Sequence, residues 1–179
     1  QLPNGSVAFV SPDVLSKINS GELNPLRSSG AAAWGDAALI CPWTIYLCYG
    51  DTRLLEEQYE SMAGWVEYMR CRAGQDTIWR KDFQFGDWLD YRGEDTRWPA
   101  PVTNSELIAT AFFAYSTQLL ANVARVLGKT SDVERYADLA NKVKVAFNGE
   151  FVTPSGRIGP DTQTAYVLAL HFDLLPEYL

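Results

Sequence analysis

Five segments of this chain carry helical hydrophobic periodicity, and no window alternates convincingly over the length of a strand. That pattern is the strongest constraint on the fold. "DAALICPWTIYLCYG" is apolar nearly all round, as a buried helix would be, with Pro42 either starting or kinking it. "DTRLLEEQYESMAGWVEYMRCR" follows after a short turn, with Asp51 as a cap and Leu55, Tyr59, Met62, Val66 and Met69 on one stripe. "SELIATAFFAYSTQLLANVARVLG" is again largely apolar, with Ser105 or a neighbour as cap and Gly128 as stop. "TSDVERYADLANKVKVAFNGEF" is amphipathic, capped by Thr130 or Ser131, with Val133, Tyr136, Leu139 or Ala140, Val143 and Phe147 on its inner face. "DTQTAYVLALHFDLL" closes the series before Pro176.

Apolar helices therefore alternate with charge-bearing ones, joined by short turns. Two concentric layers satisfy this alternation, with the apolar helices inside, as in the toroid of helical hairpins called the (α/α)6 barrel. A helical-repeat solenoid is the main rival, although no fixed-length repeat is visible. The expected organisation is all-α: residues 1–179 form one partial domain, 1–33 a turn-rich entry segment, and 74–102 a long site-lining loop. Loops of that length in compact domains are functional or disordered, and six aromatics in this one argue against disorder.

Net charge narrows the partners. At −7, the chain lacks the basic face that nucleic acids or anionic membranes require, and no apolar run approaches the ~18 residues of a membrane span. Cys41, Cys48 and Cys71 form no CxxC pair and cannot all pair with one another; buried thiols are expected. No targeting segment is recognised, and the compartment stays open.

The chemistry-bearing residues cluster in two stretches, "AWGDAALICPW" at 33–43 and "GDWLDYRGEDTRW" at 86–98. Glycosidic bond cleavage needs two carboxyl groups, one to protonate the leaving oxygen and one to activate water or attack the sugar. Asp36 and Asp87, each following a glycine, are the tempting pair. Asp36 can equally be a helix N-cap, whereas no periodic helix starts at Asp87. Trp34 and Trp88 are either core residues or platforms for a sugar face. His171, the single histidine, sits in an apolar helix and reads as a hydrogen-bonded structural residue. No metal spacing, GxSxG elbow or phosphate loop is present.

Taken together and in order, "WGDAALICPWTIYLCYGDTRLLEEQYESMAGWVEYM", "FGDWLD", "ELIATAFFAYSTQLLANVARVLGK" and "TQTAYVLAL" resemble the catalytic domain of bacterial α-L-rhamnosidases of glycoside hydrolase family 78. The resemblance runs from about Val7 to the C-terminus. It implies an (α/α)6 barrel and inverting release of terminal α-L-rhamnose from glycosides or polysaccharides, with no metal or organic cofactor. An inverting site holds its acid and base about 6.5–9.5 Å apart. It further implies that Trp34 and Trp88 wall the rhamnose subsite, with Asp36 and Asp87 binding hydroxyls or fixing the loops.

The family's general acid lies in an Asp-Glu-Arg-x-Gly-Trp-like stretch upstream of "WGDA", and nothing similar precedes Trp34. "GEDTRW" at 93–98 has a similar composition in the wrong order and place. The general base is a glutamate expected beyond "TQTAYVLAL". No catalytic residue is therefore expected within the chain, which reads as an internal piece of the domain. Such a piece would expose apolar helix faces, so self-association is expected. The alternatives are another (α/α)6 carbohydrate-active enzyme or a non-catalytic helical binding module.

Overall fold

The computed structural model describes residues 1–15, 30–88 and 101–178. Among the described residues there are five helices: α1 (Ala37–Tyr49), α2 (Arg53–Ala73), α3 (Ser105–Val126), α4 (Thr130–Phe151) and α5 (Gln163–His171), with a short 3-10 turn at Gly74–Asp76. Among the described residues, extended pairing is confined to one isolated bridge between Val152 and Ile158. The fold is all-helical, as its periodicity requires.

Helix α3 is the central element. It packs against α1, α2, α4 and α5, and most of its residues are buried, including Leu107, Phe113, Leu120 and Val123. By length and hydropathy α3 could cross a membrane, contrary to the reading that no run approaches a span. Its apolar stretch is mostly buried within the fold, and that burial accounts for its composition. Helices α2 and α4 lie against it with single apolar stripes. In α2 the stripe is Leu55, Tyr59, Met62, Val66 and Met69, as the spacing indicates, with Trp65 added. In α4, Tyr136, Ala140, Val143, Phe147 and Phe151 are buried; Ala140 rather than Leu139 takes the inner position.

The caps of α2 and α4 depart from expectation, while that of α3 does not. Asn104, the neighbour of Ser105, caps α3 within the expected choice, its side-chain oxygen accepting the Glu106 and Leu107 N–H groups at 2.7 and 3.2 Å. Helix α4 starts after Lys129 with no side-chain cap. Asp51 accepts the Arg53 N–H at 3.0 Å from outside the α2 cap position, which Thr52 occupies. Pro42 lies inside α1, where it forgoes one helical hydrogen bond.

Two expectations about burial fail, both chiefly at α1. Although apolar all round, α1 fully buries only Leu39, while Ile45, Leu47 and Tyr49 are exposed. It touches α2 and α3 on one side, and no described element covers the other. For the same reason Cys41 and Cys48 are exposed rather than buried; Cys71, on α2, is exposed as well. His171 stands exposed in the last turn of α5, beside the Tyr115 and Phe172 rings and, among the described residues, without a side-chain hydrogen bond. Burial depends on a neighbour as well as on hydrophobicity, and a single helix does not reveal its neighbours.

The segment after α2 is held by charge and by indoles. Trp79 is buried; its backbone N–H reaches Thr110 Oγ1 at 3.1 Å and its ring N–H reaches Asp82 at 2.6 Å. Asp82 also pairs with Arg72. Arg80 donates to Glu106 at 3.0 Å and to Glu150 at 3.1 Å, tying this segment to the start of α3 and the end of α4. These contacts fix the approach to Asp87 and Trp88.

Candidate functional site

The two glycine–aspartate stretches converge on one aromatic patch. Trp34 stacks on Trp88, with ring centroids 5.5 Å apart and planes 11° from parallel. Phe85 packs against both, at 4.4 and 5.2 Å. Phe9 and Phe83 extend the cluster behind Phe85. This group is a small apolar nucleus separate from the main core. Because the indoles lie on each other, no ring fits between them: they form one continuous surface rather than two facing walls. Trp34 remains 41% exposed, and its ring N–H donates to the Phe9 carbonyl at 3.1 Å. Beside it runs a groove of about 470 Å³ that Val7, Val10, Ser11 and Asp13 help to line.

Trp34 owes its placement to a tight turn, 32–36, that leads into α1. Gly35 is required there because a Cβ would stand 2.4 Å from the Trp65 ring. Ala33 adopts a φ of +66°, and the turn is closed by its N–H donating to Asp36 Oδ2 at 2.7 Å. Gln84, between Phe83 and Phe85 of the cluster, supports the same turn, its side-chain oxygen accepting the Ala32 N–H at 2.7 Å.

Asp36 is fully buried and does not act as a side-chain cap for α1. Its Oδ1 accepts the Trp65 ring N–H from α2 at 2.9 Å and the Ser116 hydroxyl from α3 at 2.5 Å. Three donors thus meet one carboxyl group, and none of them is a cation. Burial pushes its pKa up, against the opposing pull of these hydrogen bonds. A group in this position anchors the turn to two helices and is shut off from solvent.

Asp87 is half-buried and equally committed. It accepts the Val102 N–H at 2.9 Å, the Thr103 N–H at 3.1 Å and the Thr103 hydroxyl at 2.5 Å. Gly86 before it has a φ of +63°, and a Cβ there would lie 2.7 Å from the Pro101 side chain. The carboxylate therefore closes the long loop at its base and presents the adjacent Trp88 to Trp34.

Asp36 and Asp87 thus sit behind the two tryptophans as anchors, and neither is placed as a free acid or base. Of the other residues in the long loop, Asp90, Glu94 and Trp98, together with the "GEDTRW" stretch, lie outside the described residues. Among the described residues, no group of three His, Cys, Asp or Glu side chains could hold a metal ion. Sequence reasoning missed Trp65, Ser116, Gln84 and Thr103. The only available signal was polarity out of place: a serine within the apolar run of α3, and a glutamine between two phenylalanines.

Comparison with known proteins bears on the family and the fold. The model of the bacterial α-L-rhamnosidase six-hairpin glycosidase domain matches residues 1–179. An α-L-rhamnosidase of Formosa agariphila is 39% identical over 99% of this chain and 18% of its own length. One from Streptomyces avermitilis is 37% identical over 84% of this chain and 14% of its own. The crystal structure of the Streptomyces avermitilis α-L-rhamnosidase complexed with L-rhamnose superposes with a TM-score of 0.81 at 34% identity, over all of this chain and 15% of that one. The native enzyme from Aspergillus terreus gives 0.83 at 30% identity, over 97% of this chain and 19% of that one. The chain thus spans under a fifth of the length of these relatives. With its helical hairpins and its full-length match, the chain belongs to the bacterial α-L-rhamnosidase six-hairpin glycosidase domain family.

Proposed function

We propose that this chain is part of an inverting glycoside hydrolase that releases terminal α-L-rhamnose from glycosides or polysaccharides. In this reading it supplies one aromatic side of the sugar subsite and neither catalytic carboxylate. The observation that carries it is the stacked Trp34–Trp88 surface, partly open to solvent and fixed from behind by two committed aspartates. Rhamnose is a 6-deoxy sugar, so its methyl group and C–H faces suit an indole plane. Asp36 and Asp87 serve as loop anchors rather than as proton carriers or hydroxyl ligands.

The test is hydrolysis of an aryl α-L-rhamnoside by this chain and by the same chain extended at both ends. Turnover by the extended form alone supports both the reaction and the absence of the catalytic pair. Turnover by the 179-residue chain would place the chemistry on its own carboxylates and sink the reading. In the extended form, Trp34→Ala should raise KM more than it lowers kcat. Taken alone, the chain should self-associate through the exposed faces of α1 and α5, where Leu47, Tyr49, Val167 and Leu170 are open. A light-scattering mass that stays monomeric at high concentration would count against that.

A further inference from the structure

We propose that Thr103 and Thr162 are positioning residues for the tryptophan surface, joined in a hydroxyl relay that runs from the first turn of α5 to Asp87. The inference rests on the rhamnoside reading above and extends it to two residues outside the patch itself. Thr103 and Thr162 are 2% and 3% exposed, and their hydroxyl oxygens lie 2.7 Å apart although the residues are 59 positions apart in sequence.

The direction of each bond follows from its neighbours. Thr103 donates its proton to Asp87 Oδ2, so toward Thr162 it can only accept. Thr162 therefore donates to Thr103, and its own oxygen accepts the Ala165 N–H at 3.2 Å as the cap of α5. The sequence is Ala165 N–H to Thr162, Thr162 to Thr103, and Thr103 to Asp87. Every proton in it has one place to go, so the relay has a single low-energy arrangement. Both side chains are β-branched and stiff about χ1, which holds the hydroxyls in line.

The consequence reaches Trp88, the residue after Asp87. Asp87 is fixed at the loop base by residues 102 and 103, and Thr162 locks that base to α5. Valine matches threonine in shape and removes only the hydroxyl. Thr103→Val leaves the Thr103 N–H on Asp87 and the cap of α5 intact, so it breaks the relay alone. Thr162→Val breaks the relay and the cap together.

The experiment uses the full-length enzyme with Thr103→Val, Thr162→Val, the double variant and Thr103→Ser. For an aryl α-L-rhamnoside, each single valine variant should raise KM on the order of tenfold with a smaller change in kcat. The double variant should be no worse than the poorer single one, because both remove the same connection. Thr103→Ser should bring KM back toward the unsubstituted value. An unchanged KM with only a lower melting temperature would overturn the proposal, as would additive KM effects or failure of serine to rescue.

If the unsubstituted enzyme cleaves no aryl α-L-rhamnoside, the rhamnoside reading fails and the relay is judged by fluorescence. Thr103→Val should then increase acrylamide quenching of tryptophan emission, and the increase should vanish in a Trp88→Phe background. No increase would overturn the relay as well.

Discussion

Asp36 and Asp87 share a sequence signature and differ in where their hydrogen-bond donors come from. Both follow a glycine that close packing demands, Gly35 against the Trp65 ring and Gly86 against Pro101. Both hold a tryptophan of the same stacked pair. Yet Asp36 gathers donors from two helices and its own turn in complete burial. Asp87 gathers its donors from two consecutive loop residues at half-burial. The first joins the site to the main core, and the second joins it only to the loop's own base and, through Thr162, to α5. One carboxylate is thus an element of the fold, the other an element of the loop.

The contrast can be broken most directly by alanine. Asp36→Ala strands two buried donors, the Trp65 ring N–H and the Ser116 hydroxyl, and a third, part-buried one at Ala33. At about 1–3 kcal/mol for each buried group left without a partner, the loss should be on the order of 3 kcal/mol or more. Asp87→Ala should cost only about 1–2 kcal/mol, since Thr103 keeps its hydroxyl contact with Thr162 and the loop base can reach water. Chemical denaturation of the two variants side by side measures the difference. Equal losses would erase the distinction between them.

A finer test uses asparagine and pH. Asparagine offers one acceptor oxygen where the Asp36 carboxylate offers two, so its amide would face the Ala33 N–H donor to donor. Asp36→Asn should therefore destabilise by about 1–3 kcal/mol near neutral pH. The sign of the pH effect is fixed by burial, which raises the Asp36 pKa above the ordinary 3.8. Between 3.8 and the folded value the native state binds more protons than the unfolded state, so the Asp36 contribution to stability falls as pH rises through that interval. Asparagine does not titrate. The advantage of the parent chain over Asp36→Asn should therefore shrink as pH climbs from below 3.8, and then level off. An advantage that grows with pH would mean that Asp36 is stabilised as an ion.

How much of this was legible follows from where each partner lies. The helices were readable because their cause is local: the α2 stripe repeats every three or four residues, and each member is buried where the spacing puts it. The Trp34 and Trp88 pairing was legible only as two similar stretches, since nothing local states that residues 54 positions apart stack. The role of Asp36 was ambiguous because its deciding partners, Trp65 and Ser116, lie 29 and 80 positions away. Locally, an aspartate before a helix is an N-cap. The exposure of α1 was misread for the converse reason: its composition reports what the helix tolerates, and its surroundings decide what is covered.

The meeting of three side chains at Asp36 also bears on inheritance. Trp65, Ser116 and Asp36 each complete a hydrogen bond that no other described side chain supplies. A change at one of them alone leaves a buried group stranded, so the neutral routes through sequence space at this corner pass through simultaneous change. A library randomised at all three positions and selected for folding should return them as linked sets, with an apolar residue at 36 accompanied by replacement of both Trp65 and Ser116. Drift at the tryptophan surface is thereby restrained by two helices that contribute nothing to the surface itself.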